Sequence, residues 1–437
     1  MLPLDPQLIT LLVLGAVIAA LIWDKGRSDV VALAGAAVLL LTGVVRPIQV
    51  QSAFASPAVI TLASLFVIAY AMEMSGLLDS SMRGLVAICR RIGKAGLWII
   101  VGLCGAASSF LNNTPIVVLA APVVRDAATS IGLSAKRFLI PLSYASILGG
   151  GCTLIGTSTN LLVNDMAGAA GQEKFGIFEI TPVGLVVAIA GGLYLLFFSG
   201  KLIDQREDGA DPVADSKERG ATQAGGQIGD PAAFAVERPL SPLRALVSFA
   251  VFVGVITLAA LGLAPIAASA FAGAVLLILL RVITADEAYA GLRPDVLMLV
   301  AGMLVLGIAL RVSGVANVVT DLLVGSVDGM TPLLALILVY GVVLFATEFL
   351  SNATVAVLFT PVAVSIAEAM SVSPRPFLVA VMVAGSAAFA TPFGYQTNVI
   401  VYQMGRYRYM DFIKVGMPLN LVTWVTAVAA IRVFFPF

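Results

Sequence analysis

The sequence contains no histidine, and only 11% of its 437 residues are charged. Without histidine the chain lacks the usual proton relay and the commonest metal ligand. Charged residues make up about a quarter of an ordinary soluble domain, so this composition excludes that class. Basic and acidic side chains balance at 25 each, and a neutral chain offers no electrostatic footprint for nucleic acid.

Cysteine is also scarce. Cys89, Cys104 and Cys152 are odd in number and lie in or near apolar runs. They predict no disulfide framework and have no metal-ligand spacing. The first basic residue is Lys25, so the N-terminus lacks the basic region of a cleavable signal peptide. We therefore interpret the first apolar run as a membrane span.

Apolar residues, by contrast, make up 60% of the chain. Long apolar runs follow one another, a pattern typical of a polytopic α-helical membrane protein. A transmembrane β-barrel would instead alternate polar and apolar residues in segments of roughly ten. The predicted runs are 8–22, 30–45, 57–78, 96–124, 138–163, 182–200, 245–263, 265–283, 294–312, 331–370, 377–404 and 418–435.

Four of these runs are interrupted by polar residues. The letters NNTP interrupt 96–124 and SNAT interrupts 331–370, while GGGCTLIGTSTN lies in 138–163 and TPFGYQTN in 377–404. Irregular polar backbone at membrane depth survives only where it is buried in protein or lines a cavity. Residues 201–242, which separate the sixth run from the seventh, are rich in Gly, Ala, Asp, Glu and Lys, and we interpret them as a flexible linker.

The order of runs and interruptions recurs after the linker. Three segments match at offsets of 238 or 239 residues: 69–77 with 307–315, 110–115 with 349–354, and 153–160 with 391–398. Three blocks that share one offset within a residue indicate an internal duplication. The predicted domains are a first repeat at 1–200, the linker at 201–242 and a second repeat at 243–437.

The basic residues predict how the chain is threaded. Of the 25 Lys and Arg residues, 20 fall on one side, 4 on the other, and Arg311 lies inside a span. Both flanks of the NNTP run are basic, which fits a re-entrant hairpin that dips in from the cytoplasm. Each half then has five crossings and one hairpin, and because five is odd the second half is inverted. The positive-inside rule places both termini outside and the linker in the cytoplasm.

These observations predict an all-α polytopic membrane protein of two inverted repeats, each with five transmembrane helices plus one re-entrant hairpin. Such repeats, with helices broken at the midplane, are typical of secondary transporters. Helix ends there expose N–H groups, which attract an anion, and carbonyls, which attract a cation. Asn, Ser and Thr oxygens are hard ligands that suit Na⁺. The predicted hairpin tips are 112–115 and 351–354, and the predicted broken segments are 149–160 and 391–398.

The chain resembles the divalent anion:sodium symporter family, within the citrate-transporter-like ion transporter superfamily. The resemblance covers nearly the whole chain and rests on TEFLSNAT, GGGCTLIGTSTNLL and TPFGYQTNVIVYQMGRYRYMDFIKVGMPL, the last being typical of the sulfate-permease-like branch. Family members carry Ser-Asn-Thr at both tips. Here the tips are Asn112-Asn113-Thr114 and Ser351-Asn352-Ala353, each with one hydroxyl fewer, and Tyr395-Gln396-Thr397 stands where dicarboxylate carriers usually have Thr-Pro-Pro.

The resemblance implies a sodium-coupled symporter of a small divalent anion (sulfate, a C4-type dicarboxylate or citrate) in the cytoplasmic membrane. It also implies a homodimer and an elevator mechanism, with Na⁺ as the coupling ion. Sodium site 1 would use Ser108, Asn112, Asn113 and Gly156, and sodium site 2 would use Thr347, Leu350, Asn352 and Gly394. The anion would contact Asn112, Asn113, Thr114, Thr157, Ser158, Thr159, Asn160, Ser351, Asn352, Ala353, Thr354, Tyr395, Gln396, Thr397 and Asn398.

Charged residues at membrane depth leave alternatives open. We interpret Glu73 and Arg311, which occupy equivalent positions in the repeat, as a structural ion pair or headgroup-level anchors. We interpret Glu348, which borders the second tip, as bonding backbone groups that hold the hairpin. A proton-coupled anion carrier would use these carboxylates instead, and a cation/proton antiporter or an arsenite carrier of the same superfamily also stays open. A channel is a more distant alternative, and an enzyme would have to find its base or metal ligands without histidine.

Overall fold

Helices supply the regular structure in the residues that the computed structural model describes, which are 5–23, 27–77, 80, 93–203, 239–315 and 329–437; no strand occurs in these ranges. Residues 204–238 of the predicted linker, Cys89 and several basic residues that predicted the threading lie outside them. The described helices before the linker are α1 Pro6–Trp23, α2 Ser28–Leu41, α3 Pro47–Phe54, α4 Pro57–Met74, α5 Lys94–Ser108, α6 Asn113–Ser130, α7 Lys136–Gly150, α8 Ser158–Ala169 and α9 Thr181–Tyr194. A π-helical turn at Leu195–Ser199 and a short turn at Gly200–Leu202 extend α9.

The described helices after the linker are α10 Pro242–Ala260, α11 Ile266–Leu279, α12 Ala285–Ala290, α13 Pro294–Val312, α14 Pro332–Ala346, α15 Asn352–Ala369, α16 Arg375–Ala384, α17 Gln396–Gly405 and α18 Tyr409–Phe434. Several begin with proline, whose missing N–H costs nothing in the first turn. Ser56 and Thr331 cap two of these, each accepting an N–H from the third residue after it at 3.3 Å.

All four polar interruptions are confirmed as breaks between helices, since α5 and α6, α7 and α8, α14 and α15, and α16 and α17 are separate. Two short helices are new: α3 and α12 each lie in what had been a connection, and their first residues are 238 positions apart. The last span also begins earlier than predicted, at Tyr409. Within the described ranges, six helical stretches are long and apolar enough to cross a bilayer: Pro47–Met74, Thr181–Leu202, Pro242–Ala260, Pro294–Val312, Asn352–Ala369 and Tyr409–Phe434.

The packing repeats with the helices. Each of the first nine helices given above has a counterpart nine places later, and most of the helix pairs in contact follow the same rule. Thus α5 packs on α7 as α14 packs on α16, and α6 packs on α7 as α15 packs on α16. The helices α9 and α18, which are each other's counterparts, pack together. This order of helices and contacts is the one expected of two copies of one fold, and the bounds of the two repeats stay a prediction from the sequence.

The two copies are interleaved rather than side by side. Helix α2 packs on α13 of the other copy, and α4 packs on α11. Close approach between α5 and α7 depends on small residues, as is usual between helices in membranes. A Cβ atom at Gly149 would collide with the Gly105 carbonyl oxygen. This tight pair fixes the end of α7 beside the first polar break.

Candidate functional site

Helix starts and helix ends cluster at the polar breaks. Helices α5, α7, α14 and α16 end there, and α6, α8, α15 and α17 begin there. Asn112 caps α6 by accepting the Thr114 N–H at 3.3 Å, and Ser351 caps α15 by accepting the Thr354 N–H at 3.2 Å. The polar residues of the breaks are thus needed locally to start the helices. They leave free N–H groups at the starts and free carbonyls at the ends.

The first half-site is built from α5, α6 and the segment before α8. The Ser108 hydroxyl donates to Asn113 Oδ1, so the amide oxygen faces the end of α5. The Thr153 hydroxyl donates to the Ser109 carbonyl and joins the unwound segment to the hairpin. Asn160 Nδ2 donates to the Thr153 carbonyl at 3.0 Å, which holds the start of α8 against the same segment.

The second half-site repeats these contacts with different side chains. The Thr347 hydroxyl donates to Asn352 Oδ1 at 2.9 Å. The Thr391 hydroxyl donates to the Glu348 carbonyl at 3.2 Å, and Asn398 Nδ2 donates to the Thr391 carbonyl at 3.1 Å. Each residue is the repeat counterpart of the one that makes the equivalent bond in the first half-site.

A fourth bond is shared as well. The N–H groups of Gly156 and Gly394 donate to the hydroxyls of Thr153 and Thr391 at 3.2 and 3.0 Å. Each glycine is therefore held beside its hairpin with its backbone close to the tip. In the first half-site a Cβ at Gly156 would lie 2.9 Å from the Ser109 carbonyl oxygen. The backbone thus needs the absence of a side chain there.

The half-sites are joined crosswise. Asn113 Nδ2 donates to the Tyr395 hydroxyl at 2.7 Å, and the Thr114 hydroxyl donates to Gln396 Oε1 at 3.2 Å. The side chain of Thr157 is a further hydrogen-bond partner of the Tyr395 hydroxyl. The first tip therefore contacts the second unwound segment, in agreement with the packing of α6 on α17.

The reciprocal contact links the second tip to the first broken helix. Helix α8 packs on α15. The single hydrogen of the Thr347 hydroxyl is shared between Asn352 Oδ1 and the Gly385 carbonyl, which lies 2.8 Å from the hydroxyl, just beyond the end of α16. A Cβ at Gly385 would lie 3.6 Å from the Thr159 methyl group and 3.7 Å from Val355. All four breaks consequently lie within one connected region.

The candidate residues differ in exposure between the two half-sites. The first tip and first segment are largely buried, whereas Ser351 of the second tip is exposed. The buried candidates are Ser108, Asn113, Thr114, Gly156, Thr157, Thr159, Asn160, Thr347, Thr354, Thr397 and Asn398. The half-buried ones are Asn112, Ser158, Leu350, Asn352, Ala353, Gly394, Tyr395 and Gln396.

Glu348 accepts hydrogen bonds from backbone groups, but those groups belong to the second unwound segment rather than to the hairpin. The N–H groups of Phe389 and Ala390 donate to Oε1 at 2.9 and 2.7 Å, and that of Thr391 donates to Oε2 at 2.9 Å. Asn420 Nδ2 adds a fourth bond at 2.8 Å. Glu348 is 6% exposed. The carboxylate replaces the carbonyls that a continuous α16 would have offered these N–H groups.

Some residues of the site were not predicted. Thr153 and Thr391 lie within the matched blocks of the repeat and could have been found by aligning the halves residue by residue. The Ser143 hydroxyl donates to Asn398 Oδ1 at 2.7 Å and lies 2.8 Å from Thr397 Oγ1, although α7 gives no local signal for it. Asn420 lies in an apolar helix far along the chain, so only the fold brings it to Glu348.

The electrostatics of the site rest on neutral groups. No Lys or Arg is among the candidate residues, and the described residues contain no cluster of three or more His, Cys, Asp or Glu that could hold a metal ion. An anion here would be held by hydroxyls, amides and helix N-termini, and a cation by carbonyl, hydroxyl and amide oxygens. The arrangement can therefore accommodate both signs of charge in neighbouring positions.

The chain matches a known protein family. A family model described as citrate transporter matches residues 18–371 and again 349–437. The chain belongs to this family. It is thus a transporter rather than an enzyme, and its apolar helices are those of an integral membrane protein. An uncharacterized transporter of Synechocystis sp. is 24% identical over 90% of this chain and 91% of its own length.

Other similarities are local or structural. The sodium/sulfate cotransporter 1 of Chlamydomonas reinhardtii is 43% identical over 22% of this chain and 12% of its own. The sodium-dependent dicarboxylate transporter SdcS of Staphylococcus saprophyticus is 30% identical over 32% of this chain and 27% of its own. The solved structure of the YdaH transporter of Alcanivorax borkumensis has a TM-score of 0.63 at 15% identity and covers 98% of both chains, which shows a shared fold.

Proposed function

We propose that the protein is a sodium-coupled symporter of a small divalent anion. The observation that carries the proposal is the clustering of four helix starts and four helix ends at one buried region. Helix starts present N–H groups with positive partial charge, and helix ends present carbonyls with negative partial charge. A solute with two negative charges and its accompanying cations can therefore be bound together without a fixed positive charge in the site.

The duplicated Asn and hydroxyl pairs support two cation sites. In this proposal, Na⁺ binds Asn113 Oδ1 in the first half-site and Asn352 Oδ1 in the second. The ion takes the place of the hydroxyl hydrogen bond that each amide oxygen now accepts. The remaining ligands would be those predicted from the sequence: Ser108, Asn112 and Gly156 in site 1, and Thr347, Leu350 and Gly394 in site 2. The anion would lie between the tips and touch the unwound segments 157–160 and 395–398.

Sulfate is the favoured anion. The match to the sodium/sulfate cotransporter is shorter than the match to the dicarboxylate transporter but more similar, at 43% against 30% identity. The remaining parts of the proposal follow the sequence: the second half, 243–437, is inverted relative to 1–200, both termini face outward, and the linker 201–242 faces the cytoplasm. The working unit is a homodimer in the cytoplasmic membrane, and the site crosses the bilayer by an elevator movement.

Proton coupling through Glu348 is the competing proposal, and the contacts of that carboxylate count against it. Its two oxygens accept four N–H bonds. A proton on either oxygen would place a hydrogen against an N–H donor and would release part of the second unwound segment. Because the Glu348 carboxylate holds this segment in place, it is poorly suited to gaining and losing a proton in each transport cycle.

Uptake into proteoliposomes tests the proposal. We expect labelled sulfate, and more weakly succinate, to accumulate when an inward sodium gradient is imposed. Asn113→Ala and Asn352→Ala should abolish this uptake while leaving membrane insertion intact, whereas Gln51→Ala, which removes an exposed amide on α3, should have no effect. Uptake that ignores sodium but follows a proton gradient would establish the proton-coupled carrier. Export of sodium or arsenite without anion uptake would establish the antiporter or the arsenite carrier.

A further inference from the structure

A hydrogen bond between Asn113 and Tyr395 connects the first tip to the second half of the molecule. Through this bond the second half can set the orientation of a side chain in the proposed cation site of the first half. Asn113 is 1% exposed and belongs to the first tip, whereas Tyr395 stands at the start of α17 in the second half. Their side chains are joined at 2.7 Å, with the amide nitrogen as donor and the tyrosine oxygen as acceptor. The hydroxyl of Ser108 occupies the other end of the amide by donating to its oxygen.

An asparagine amide is nearly symmetric in shape, so its orientation is set by its hydrogen bonds. A cation site needs the oxygen to face it, because the NH₂ group of a flipped amide would repel Na⁺. In the first half-site the tyrosine hydroxyl holds the nitrogen on the side away from Ser108. The oxygen is thereby directed to the position that the proposed function assigns to sodium site 1.

The second half-site lacks this device. The repeat counterpart of Tyr395 is Thr157, whose short side chain caps α8 by accepting the Thr159 N–H at 3.4 Å. Asn352 Oδ1 accepts from Thr347, but among the residues that the structure describes its Nδ2 has no protein partner. The two asparagines are therefore not equivalent: one amide is fixed at both ends and the other at one end only.

We propose that Tyr395 is a positioning residue for sodium site 1: by accepting the Asn113 amide N–H it keeps Oδ1 turned toward Ser108 and Gly156. The inference rests on the proposed function, since it takes the first half-site to be a cation site. Because Tyr395 and Gln396 also begin the helix that faces the anion, movement of this segment alters the orientation of the Asn113 amide. Sodium and anion binding are consequently linked through one hydrogen bond between the halves.

The test is Tyr395→Phe, which removes the hydroxyl and keeps the ring. Loss of one hydrogen bond should raise the sodium concentration for half-maximal uptake roughly three- to tenfold. Because Tyr395 also belongs to the proposed anion site, the half-saturating anion concentration is measured at saturating sodium, and the sodium requirement should rise by a larger factor than the anion requirement. The matched control is Tyr402→Phe, in the same helix, whose ring packs on Phe393 and Phe412; its sodium requirement should be unchanged.

A second measurement guards against a folding defect. We expect sodium to stabilise the wild type against heat in detergent, and to stabilise purified Tyr395→Phe protein only at correspondingly higher sodium concentrations. An unchanged sodium dependence in both measurements would overturn the inference, and so would a change confined to the anion affinity. If wild-type uptake and thermal stability are both indifferent to sodium, it is the proposed function itself that fails.

Discussion

The two half-sites make the same four hydrogen bonds but hold their unwound segments by different means. In the first half, α7 continues to Gly150, and the N–H of Cys152 is satisfied by the Gly149 carbonyl at 2.9 Å. In the second half, α16 ends at Ala384, four residues before the matching position, and Glu348 accepts the freed N–H groups. Ser109 occupies the position of Glu348 in the first half. The two halves therefore share these hydrogen bonds but support their unwound segments differently.

The strongest test of this difference is Glu348→Ala beside Ser109→Ala. Removing the carboxylate leaves three backbone N–H groups and the Asn420 amide without an acceptor in a buried place, at about 1–3 kcal/mol for each unsatisfied group. We expect little folded protein from Glu348→Ala. Ser109→Ala should stay close to wild type, because the shared bond uses the Ser109 carbonyl.

The measurement for this pair is the yield of monodisperse protein by size-exclusion chromatography in detergent, together with the thermal unfolding midpoint. Equal yields and midpoints for the two variants would mean that the carboxylate does not support the second segment. The difference between the half-sites would then be one of sequence only.

A smaller difference is expected between the two asparagines at the helix starts. Asn398 makes three bonds, since Nδ2 donates to the Ala388 and Thr391 carbonyls and Oδ1 accepts from Ser143. Among the described residues, Asn160 makes only the bond to Thr153, and its buried Oδ1 has no partner. Asn398→Ala should lower stability by about 2–4 kcal/mol and Asn160→Ala by about 1 kcal/mol. Thermal unfolding midpoints in detergent measure both losses of stability. A larger loss for Asn160→Ala than for Asn398→Ala would contradict this expectation.

The smallest expected difference between the two halves concerns the threonine hydrogen bonds that the half-sites share. Thr153→Val and Thr391→Val each remove one hydroxyl that donates to a hairpin carbonyl and accepts a glycine N–H. Both should lose about 1–2 kcal/mol, and by the same amount within error. Thr257→Val, on the exposed face of α10, controls for the substitution itself. Clearly unequal losses at Thr153 and Thr391 would show that the shared bonds differ in strength.

Much of the fold was predictable because apolar runs and polar interruptions directly report helices and their breaks in a membrane protein. Breaks were predicted at 112–115 and 351–354, because tip residues that cap the next helix are polar by necessity. The helices are interrupted at 109–112 and 347–351 instead, so the later residues of each predicted tip form the first turn of the next helix. The short helix α3 was missed, since three of the eight residues in its sequence PIQVQSAF are polar and the helix is too short for a span. Aligning it with α12 would have suggested that both segments are built the same way.

Long-range polar contacts could not be predicted from a single sequence. The position of Glu348 next to the second tip predicted that it bonds backbone groups. The neighbouring sequence does not indicate that its partners lie at 389–391 and at Asn420. The bond from Asn113 to Tyr395 joins residues 282 positions apart. Such contacts depend on how α6 meets α17, which is set by packing of the whole bundle rather than by periodicity.

The interleaving of the copies has a consequence for how the protein is made. Helices α2 and α4 enter the bilayer early in synthesis, yet the helices on which they pack, α13 and α11, are synthesised only after the linker has left the ribosome. Until then their packing faces must be covered by lipid or by the insertion machinery. Neither copy can complete its helix packing without the other. If translation stalls beyond the linker, an incompletely packed helix bundle remains in the membrane.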